Sequence, residues 1–307
     1  MILRIGTRGS KLALVQSGWV KEKIEDGHPH VEVTLVQIKT KGDKILDSPL
    51  SKIGGKGLFV KEIEEALLRG EVDLAVHSMK DVPAELPSGL EFSVFPERED
   101  PRDAFVSPEY RSFQDLPEGA AVGTGSMRRS AQLLHRRPDI RIVPMRGNVD
   151  TRLRKLSSGD CLAVILAAAG LNRLGLSQRI ARLLPPEEFL PAIGQGALGL
   201  ETRTGDHATL ELLRFLNHGD TETAVRAERA FLKTLGGGCQ VPVACHGSLK
   251  GDVIVLDGMV AELDGSRVIR EQGSGARDRA EDLGVALAEQ LLAMGAERIL
   301  AKFYGRA

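Results

Sequence analysis

Aromatic residues, cysteines, net charge and long apolar runs are all scarce in this sequence. Aromatics make up 4% of its 307 residues, and 41 Lys and Arg residues are balanced by 42 Asp and Glu residues, for a formal charge of -1. The composition as a whole offers neither a basic surplus nor many rings for base stacking. It therefore does not favour a nucleic-acid partner.

Membrane insertion and export are not expected either. No run of about 18 apolar residues is present that could cross a bilayer. Residues 1–9 lack the basic, apolar and small-residue layout of a signal peptide. Three cysteines, an odd number, favour reduced thiols over disulfides. We therefore expect a soluble, cytoplasmic protein.

The chain does have enough apolar residues, 42%, to build a core, and its length predicts two or three domains. Predicted strands and helices alternate up to residue 167, which is typical of βαβ units around a parallel sheet. The predicted strands are Leu3–Ile5, Val31–Ile38, Val72–Val76, Ala121–Val122, Ile140–Pro144 and Cys161–Ala167. The predicted helices are Lys11–Ile24, Leu58–Arg69, Arg129–Arg137 and Asp150–Leu156. The sequence therefore predicts two related α/β lobes.

The last part of the chain predicts a small α+β domain. The stretch before it, Pro191–Leu198, is rich in glycine and is predicted to form no regular helix or strand. The expected helices are Thr221–Leu235 and Arg277–Met294, and the expected strands of an antiparallel sheet are Val241–Leu249, Val253–Leu263 and Arg267–Arg270. The predicted domains are 1–98 with 196–216, then 99–195, then 217–307.

The two lobes open on similar segments, Ile5–Ser10 and Val122–Ser126. In each, a strand ends in small and hydroxyl residues just before a helix. Such a helix start presents backbone N–H groups and a positive dipole end to an anion. Simple helix capping uses the same residues, so both interpretations stay open.

Charge is distributed unevenly along the chain. Between Gly123 and Leu184, eleven arginines and one lysine face three aspartates, and the rest of the chain offsets this surplus. Arginine pairs with carboxylate or phosphate through two parallel hydrogen bonds, so the segment predicts a ligand with many fixed anionic groups. A solvated basic face would have the same composition.

Polar residues emerge where the predicted strand Val72–Val76 ends, in the motif His77–Pro83. The carboxyl ends of strands are where α/β sheets bind ligands. Asp81 is a candidate catalytic carboxylate that the neighbouring Lys80 would keep ionised. An ordinary turn aspartate is the alternative.

Cys239 follows three glycines in a loop that leaves its thiol exposed. With no cationic neighbour, it is not expected to be a repeatedly used nucleophile, and a permanent attachment point stays open as an interpretation. Cys161 opens an apolar run and predicts a core residue. The residues Cys239, Cys245 and His246 do not have the spacing of a zinc site. The nearby thiol of Cys245 could compete with Cys239 for attachment.

The Lys- and Gly-rich segment Gly42–Gly57 lacks the phosphate-loop pattern G-x-x-x-x-G-K-[ST], so it does not predict a nucleotide site. A loop of this length inside a compact lobe is more typical of a mobile lid.

Five motifs occur in order along the chain: Arg8–Ala13, His77–Pro83, Gly123–Arg129, Arg146–Asn148 and Gly237–Pro242. Together they resemble the porphobilinogen deaminase (hydroxymethylbilane synthase) family over essentially the whole length. The resemblance implies a transferase of tetrapyrrole and haem biosynthesis. Such an enzyme condenses four porphobilinogen molecules on a primer, with loss of ammonia, and releases hydroxymethylbilane.

The same resemblance implies an α/β fold with two doubly wound domains, similar to those of periplasmic binding proteins, that form a cleft. A small α+β C-terminal domain with a three-stranded antiparallel sheet completes it. The primer is a dipyrromethane cofactor, held as a thioether on Cys239. The resemblance also implies a monomer without a metal, whose product passes to uroporphyrinogen-III synthase.

Individual roles follow from the resemblance as well. It assigns catalysis to Asp81. It implies cofactor contacts from Ser78, Lys80, Thr124, Ser126, Arg128, Arg129, Arg146 and Gly147. It implies substrate contacts from Arg8, Ser10, Gln16, Lys52, Lys56, Phe59, Arg152, Arg173 and Gln195.

The chemistry of these residues agrees with the resemblance. Each pyrrole unit carries two carboxylates, which an arginine-rich segment can hold. The Asp81 carboxylate would stabilise the azafulvenium cation that remains when ammonia leaves. A non-catalytic, two-lobed polycarboxylate-binding protein is the alternative from a different class, and it would need neither Asp81 nor Cys239.

Overall fold

A computed structural model describes residues 1–44, 57–237 and 241–304. Its strands are β1 (Ile2–Thr7), β2 (Glu32–Gln37), β3 (Leu74–Ser78), β4 (Leu90–Val94), β5 (Asp103–Val106), β6 (Ala121–Thr124), β7 (Arg141–Pro144), β8 (Ala163–Ala167), β9 (Arg182–Leu184), β10 (Leu198–Arg203), β11 (Val243–Lys250), β12 (Val253–Ala261) and β13 (Val268–Ala276). Its helices are α1 (Lys11–Gly27), α2 (Lys41–Lys44), α3 (Lys61–Leu68), α4 (Met127–Arg136), α5 (Val149–Ser157), α6 (Ala168–Arg173), α7 (His207–Leu213), α8 (Gly219–Thr234), α9 (Ala280–Leu291) and α10 (Glu297–Tyr304).

The chain forms two compact units. Unit 1 comprises Met1–Glu99 and Ala197–Glu222, and unit 2 comprises Asp100–Gly196 and Thr223–Ala307. Unit 1 holds a five-stranded sheet in the order β2-β1-β3-β10-β4, and unit 2 holds one in the order β7-β6-β8-β5-β9. The two sheets follow the same plan, so the prediction of two related α/β lobes is confirmed.

The predicted parallel arrangement holds in each lobe except at one antiparallel strand. Strand β1 runs parallel to β2 and β3, but β10 runs antiparallel to both β3 and β4. In unit 2, β5 is likewise antiparallel to β8 and β9. Each antiparallel strand lies soon after the chain passes from the other unit. Local alternation of strand and helix carries no sign of such a strand.

Helices α1 and α3 cover opposite faces of the first sheet. Val20 and Ile24 of α1 pack on one face, in a cluster with Leu74 and Val76 of β3. Ile63 and Leu67 of α3 pack in a second cluster with Ala75 on the other face. Because successive strand residues point to opposite faces, the apolar run 74–76 of β3 is explained by burial on both sides.

Local signals set the ends of these helices. Ser10 Oγ accepts a hydrogen bond from Ala13 N at 3.3 Å and so caps α1. Gly70, with φ of +68°, follows the end of α3 in the left-handed conformation that glycine allows. Capping is one of the two interpretations that the sequence left open for the segment Ile5–Ser10.

The C-terminal sheet is a three-stranded antiparallel meander, β11-β12-β13, as predicted. Strand β13 is longer than expected because it continues through Gly273 and Gly275. A Cβ at Gly273 would lie 3.0 Å from Leu283 Cδ1, so the missing side chain leaves room for α9. The predicted helix Arg277–Met294 is interrupted by a turn at Leu292–Ala296, in which Gly295 has φ of +101°.

Within unit 2 the C-terminal sheet packs against the second lobe. Ala131 and Leu190 of that lobe share a buried cluster with Ala244, Met259 and Ala261 of the meander. Among the described residues, no helix is both long enough and apolar enough to pass through a membrane.

Substituting Gly284 tests the close contact between α8 and α9. A Cβ there would lie 2.2 Å from Ala227 O, a backbone atom that cannot move aside. We expect Gly284→Ala to lower the free energy of unfolding by about 1–3 kcal/mol, measured by urea denaturation. Gly18→Ala is the matched control, since nothing lies within 4 Å of its new Cβ in α1. It should gain up to about 1 kcal/mol, and equal losses in both variants would contradict this assignment.

Candidate active site

The motif His77–Pro83 turns sharply at the carboxyl end of β3. Residues Met79–Asp81 form a single 3-10 turn, which Val82 N closes by donating to Met79 O at 3.3 Å. The Met79 side chain is buried and anchors the turn, whereas Asp81 is exposed and Lys80 is half-buried. The structure thus presents the predicted catalytic carboxylate at the end of a buried strand.

Further predicted residues of unit 1 lie together in two pairs. Gln16 Nε2 on α1 donates to Ser78 Oγ at 2.9 Å, so α1 holds the last residue of β3. The Arg8 guanidinium lies over the Phe59 ring, with Cζ 4.3 Å from the ring centroid, a cation–π contact. Ser10 serves as the cap of α1.

The start of α4 repeats this arrangement in unit 2. Ser126 Oγ accepts from Arg129 N at 3.4 Å as the helix cap, and Thr124 Oγ1 accepts from Ser126 N at 3.2 Å. A Cβ at Gly125 would lie 2.3 Å from Met145 O, so the loops that follow β6 and β7 pack directly on each other.

The loop after β7 leads into α5. Gly147 has φ of +97°, a conformation that favours glycine, and Asn148 Oδ1 caps the helix by accepting from Thr151 N at 3.0 Å. Arg146 has no hydrogen-bond or ion-pair partner in the described part of the chain. Two helix starts and this guanidinium are therefore available at one edge of the second sheet.

Asp103 of β5 is fully buried and binds both consecutive arginines of α4. Arg128 Nη1 donates to Asp103 Oδ2 at 2.6 Å, and Arg129 Nη2 donates to Oδ1 at 2.7 Å. Gln195 Nε2 donates to Oδ1 at 3.0 Å and is itself fully buried. Burial alone would raise the pKa of Asp103, but the charges of the two arginines outweigh it and hold the pKa well below its usual range.

Sequence analysis did not identify Asp103. Its one signal is an acidic residue placed immediately before the apolar run Ala104–Val106. The cluster shows that Arg128, Arg129 and Gln195, all predicted to bind ligand, also hold β5, α4 and the chain segment before β10 together.

Other cations of the arginine-rich segment also have structural partners. Arg137 pairs with Asp139 at 2.7 Å, and Arg182 pairs with Glu188 at 2.6 Å. Predicted substrate residues make backbone contacts: Arg152 Nε donates to Gly147 O at 3.0 Å, and Arg173 Nη2 donates to Gly196 O at 2.8 Å. Some arginines of this segment therefore have structural roles, and fewer of them are available to bind a ligand than the charge count implied.

The described cysteines are both buried. Cys245 is fully buried in β11 opposite Gly258, so its thiol is not available for attachment. Burial raises the pKa of the Cys161 thiol, in agreement with its predicted core position. Cys239, Lys52 and Lys56, as well as most of the predicted lid Gly42–Gly57, lie outside the described residues.

A buried group of titratable side chains lies beneath the His77–Pro83 motif. His77 Nε2 donates to Glu201 Oε2 of β10 at 2.9 Å, and the exposed fractions of the two residues are 5% and 1%. Glu64 of α3 is 6% exposed on the same side of the sheet. Burial and then the charge of Glu201 raise the pKa of Glu64 to about 7, against the opposing effect of His77.

Comparison with known proteins identifies the family. A model of the porphobilinogen deaminase dipyrromethane cofactor binding domain matches residues 3–211, and one of the porphobilinogen deaminase C-terminal domain matches residues 222–293. The chain belongs to the porphobilinogen deaminase family. The porphobilinogen deaminase of Syntrophotalea carbinolica is 60% identical over 97% of this chain and 95% of its own length. That of Geobacter metallireducens is 58% identical over 99% and 95%.

Solved structures that align with this family member include periplasmic binding proteins. A nutrient binding protein from Burkholderia cenocepacia bound to methionine covers 69% of this chain and 90% of its own, with a TM-score of 0.43 and 13% identity. A periplasmic substrate-binding protein of an ABC transporter from Coxiella burnetii covers 70% and 91%, with a TM-score of 0.44 and 13% identity.

Family membership gives the chain the function of a porphobilinogen deaminase and a dipyrromethane cofactor. The donor set of the described residues fits that group. Its carboxylate arms require cations and N–H donors, and the starts of α4 and α5 with Arg146 supply them. The non-catalytic alternative is not favoured.

Asp103→Asn should destabilise the protein strongly. It leaves two buried guanidiniums without their carboxylate, which we expect to lower the free energy of unfolding by about 3–5 kcal/mol in urea denaturation. The control is Asp139→Asn, because its partner Arg137 is partly exposed and can be hydrated. A loss as large in the control as in Asp103→Asn would show that burial of the charges is not what matters.

Stability should also depend on pH through Glu64. Its folded-state pKa of about 7 lies above the ordinary value of 4.5, so the folded protein retains a proton that the unfolded chain releases. The stabilisation by this proton is complete below the ordinary pKa and is lost as pH rises through about 7. Between pH 5 and pH 8, urea denaturation should show Glu64→Gln gaining about 2–3 kcal/mol relative to the parent. Glu65→Gln, exposed on the same helix, should show no such change, and a pH-independent difference for Glu64→Gln would contradict the assignment.

Proposed function

We propose that this chain condenses four porphobilinogen molecules stepwise on a covalent dipyrromethane primer, with loss of ammonia, and releases hydroxymethylbilane, with Asp81 as its catalytic carboxylate. The observation that carries the proposal is the position of Asp81: an exposed carboxylate on a turn anchored by buried Met79, at the carboxyl end of β3. Ligands of α/β sheets bind at such ends.

Asp81 acts on the substrate. Loss of ammonia from the aminomethyl group leaves a cation spread over the pyrrole ring and its methylene carbon. A fixed carboxylate near the ring N–H stabilises that charge without reorganisation, and it can accept the proton released after coupling.

The remaining residues bind the negative arms of substrate and cofactor. Arg146 and the capped starts of α4 and α5 offer cationic and N–H donors in unit 2. Arg8, stacked on Phe59, offers a preoriented guanidinium in unit 1. Lys80, Lys52, Lys56, Arg152, Arg173 and Gln195 are further proposed contacts.

Cys239 is the proposed attachment point. When bound, the dipyrromethane supplies the free pyrrole carbon from which the chain grows. The burial of Cys245 supports Cys239 as the attachment site, since its nearest cysteine in sequence has no accessible thiol. A cytoplasmic monomer of three domains, 1–98 with 196–216, 99–195 and 217–307, which passes its product to uroporphyrinogen-III synthase, completes the proposal.

Intact mass spectrometry combined with turnover tests these roles. The purified protein should exceed its sequence mass by two linked pyrrole units, and Cys239→Ala should lack that increment. Cys245→Ala is the matched control and should retain it. An unmodified parent protein, or an increment that persists in Cys239→Ala, would refute the attachment.

The second arm of the experiment separates attachment from catalysis. Asp81→Asn should retain the mass increment but lose about 10²- to 10³-fold in kcat, because the amide no longer offsets the developing cation. Glu85→Gln, an exposed carboxylate on the same loop, should turn over porphobilinogen at the parent rate. Near-normal turnover of Asp81→Asn would reject its catalytic role.

A further inference from the structure

His77 and Glu201 form a buried pair that the proposed chemistry does not use. Successive residues of β3 point to opposite faces, so Ser78 faces α1 and Gln16 while His77 faces the side covered by α3. On that side, His77 Nε2 donates to Glu201 Oε2 at 2.9 Å. The motif that carries Asp81 is thus held from both faces of the sheet.

The structure around this pair joins the catalytic turn to β10. Gly199 lies opposite His77, and a Cβ there would lie 2.2 Å from Met79 Sδ, so Met79 occupies the space of the missing side chain. Met79 N donates to Ala197 O at 3.1 Å. The first residue of the Met79–Asp81 turn is therefore fixed to β10 by its backbone and by its side chain.

A contribution to the stability of the fold does not by itself explain this buried pair. Buried polar pairs can often be replaced by apolar residues of similar size without loss. Within the described residues, Glu201 Oε1 has no hydrogen-bond partner, which leaves a buried acceptor unsatisfied at a cost. Phe92 packs edge-on against His77, with ring centroids 6.0 Å apart, and limits the rotation of the imidazole.

We propose that Glu201, acting through His77, is a positioning residue that sets the orientation of the Met79–Asp81 turn and thereby of the Asp81 carboxylate. This inference rests on the proposed function of Asp81. Its physical basis is that a hydrogen bond fixes direction, whereas apolar packing alone would leave the end of β3 free to shift against β10. Displacement of a catalytic group by about 1 Å is sufficient to slow a reaction about a hundredfold.

The charged groups that face the pair come from three elements. They are His77 on β3, Glu201 on β10 and Glu64 on α3. Below pH 7 the neutral form of Glu64 predominates, so Glu64→Gln changes little there and serves as a buried-carboxyl control that does not bond to His77.

The test compares Glu201→Met, His77→Leu, the double variant and Glu64→Gln at pH 6, all as cofactor-loaded protein confirmed by intact mass. We expect kcat to fall about ten- to a hundredfold in both single variants while KM stays within about twofold, since binding groups are untouched. The double variant should be no slower than the slower single variant, because both remove one coupling. Glu64→Gln should retain the parent kcat.

Other results would overturn the proposal. Parent-like kcat in Glu201→Met, a parallel rise of KM, additive losses in the double variant, or failure of both single variants to fold would each make the pair a structural element only. Failure of the proposed function is distinguishable, since the parent itself would then lack the mass increment or would not consume porphobilinogen.

Discussion

The arginine-rich unit depends on one buried carboxylate. Arg128 and Arg129 are consecutive residues in the first turn of α4, and two like charges placed there without water would repel each other and resist burial. Asp103 of β5 binds both guanidinium groups and offsets one of their two charges, and it also accepts from Gln195, which lies two residues before the chain returns to unit 1. The single carboxylate of Asp103 therefore connects β5, the start of α4 and the segment that leads back to unit 1.

Sequence analysis succeeded where the physical cause is local. Ser10 and Ser126 each accept a hydrogen bond from the N–H three residues ahead, and Gly70 ends α3 by its own conformation, so the cause lies within a few residues in each case. Strands β5 and β10 were missed because their partners are distant in sequence and antiparallel. The positive charge available to a ligand was overestimated for the same reason: Asp103 and Glu188, which pair with three of the arginines, lie outside the segment that was counted.

The candidate site shows how a short motif meets two demands at once. In β3 the pleat sends Ser78 toward Gln16 and His77 toward Glu201, so adjacent residues act on opposite faces. The exposed Asp81 follows only after Met79 has anchored the turn. The motif was identified from the sequence as a candidate site, but the contact between His77 and Glu201 was not predicted, because Glu201 comes from a strand that the sequence did not predict. One short motif therefore contains both the exposed carboxylate Asp81 and the residue His77, which contacts Glu201 in the interior.

The late position of β10 in the chain has a consequence during synthesis. Strand β10 lies between β3 and β4, yet residues 198–203 emerge from the ribosome only after the whole of the second lobe. Until then the nascent first lobe has two open strand edges facing an empty position, and β4 has no neighbour in its sheet. The lobe that is translated first is completed second, so the polypeptide must keep these edges from pairing elsewhere while the ribosome finishes the intervening hundred or so residues.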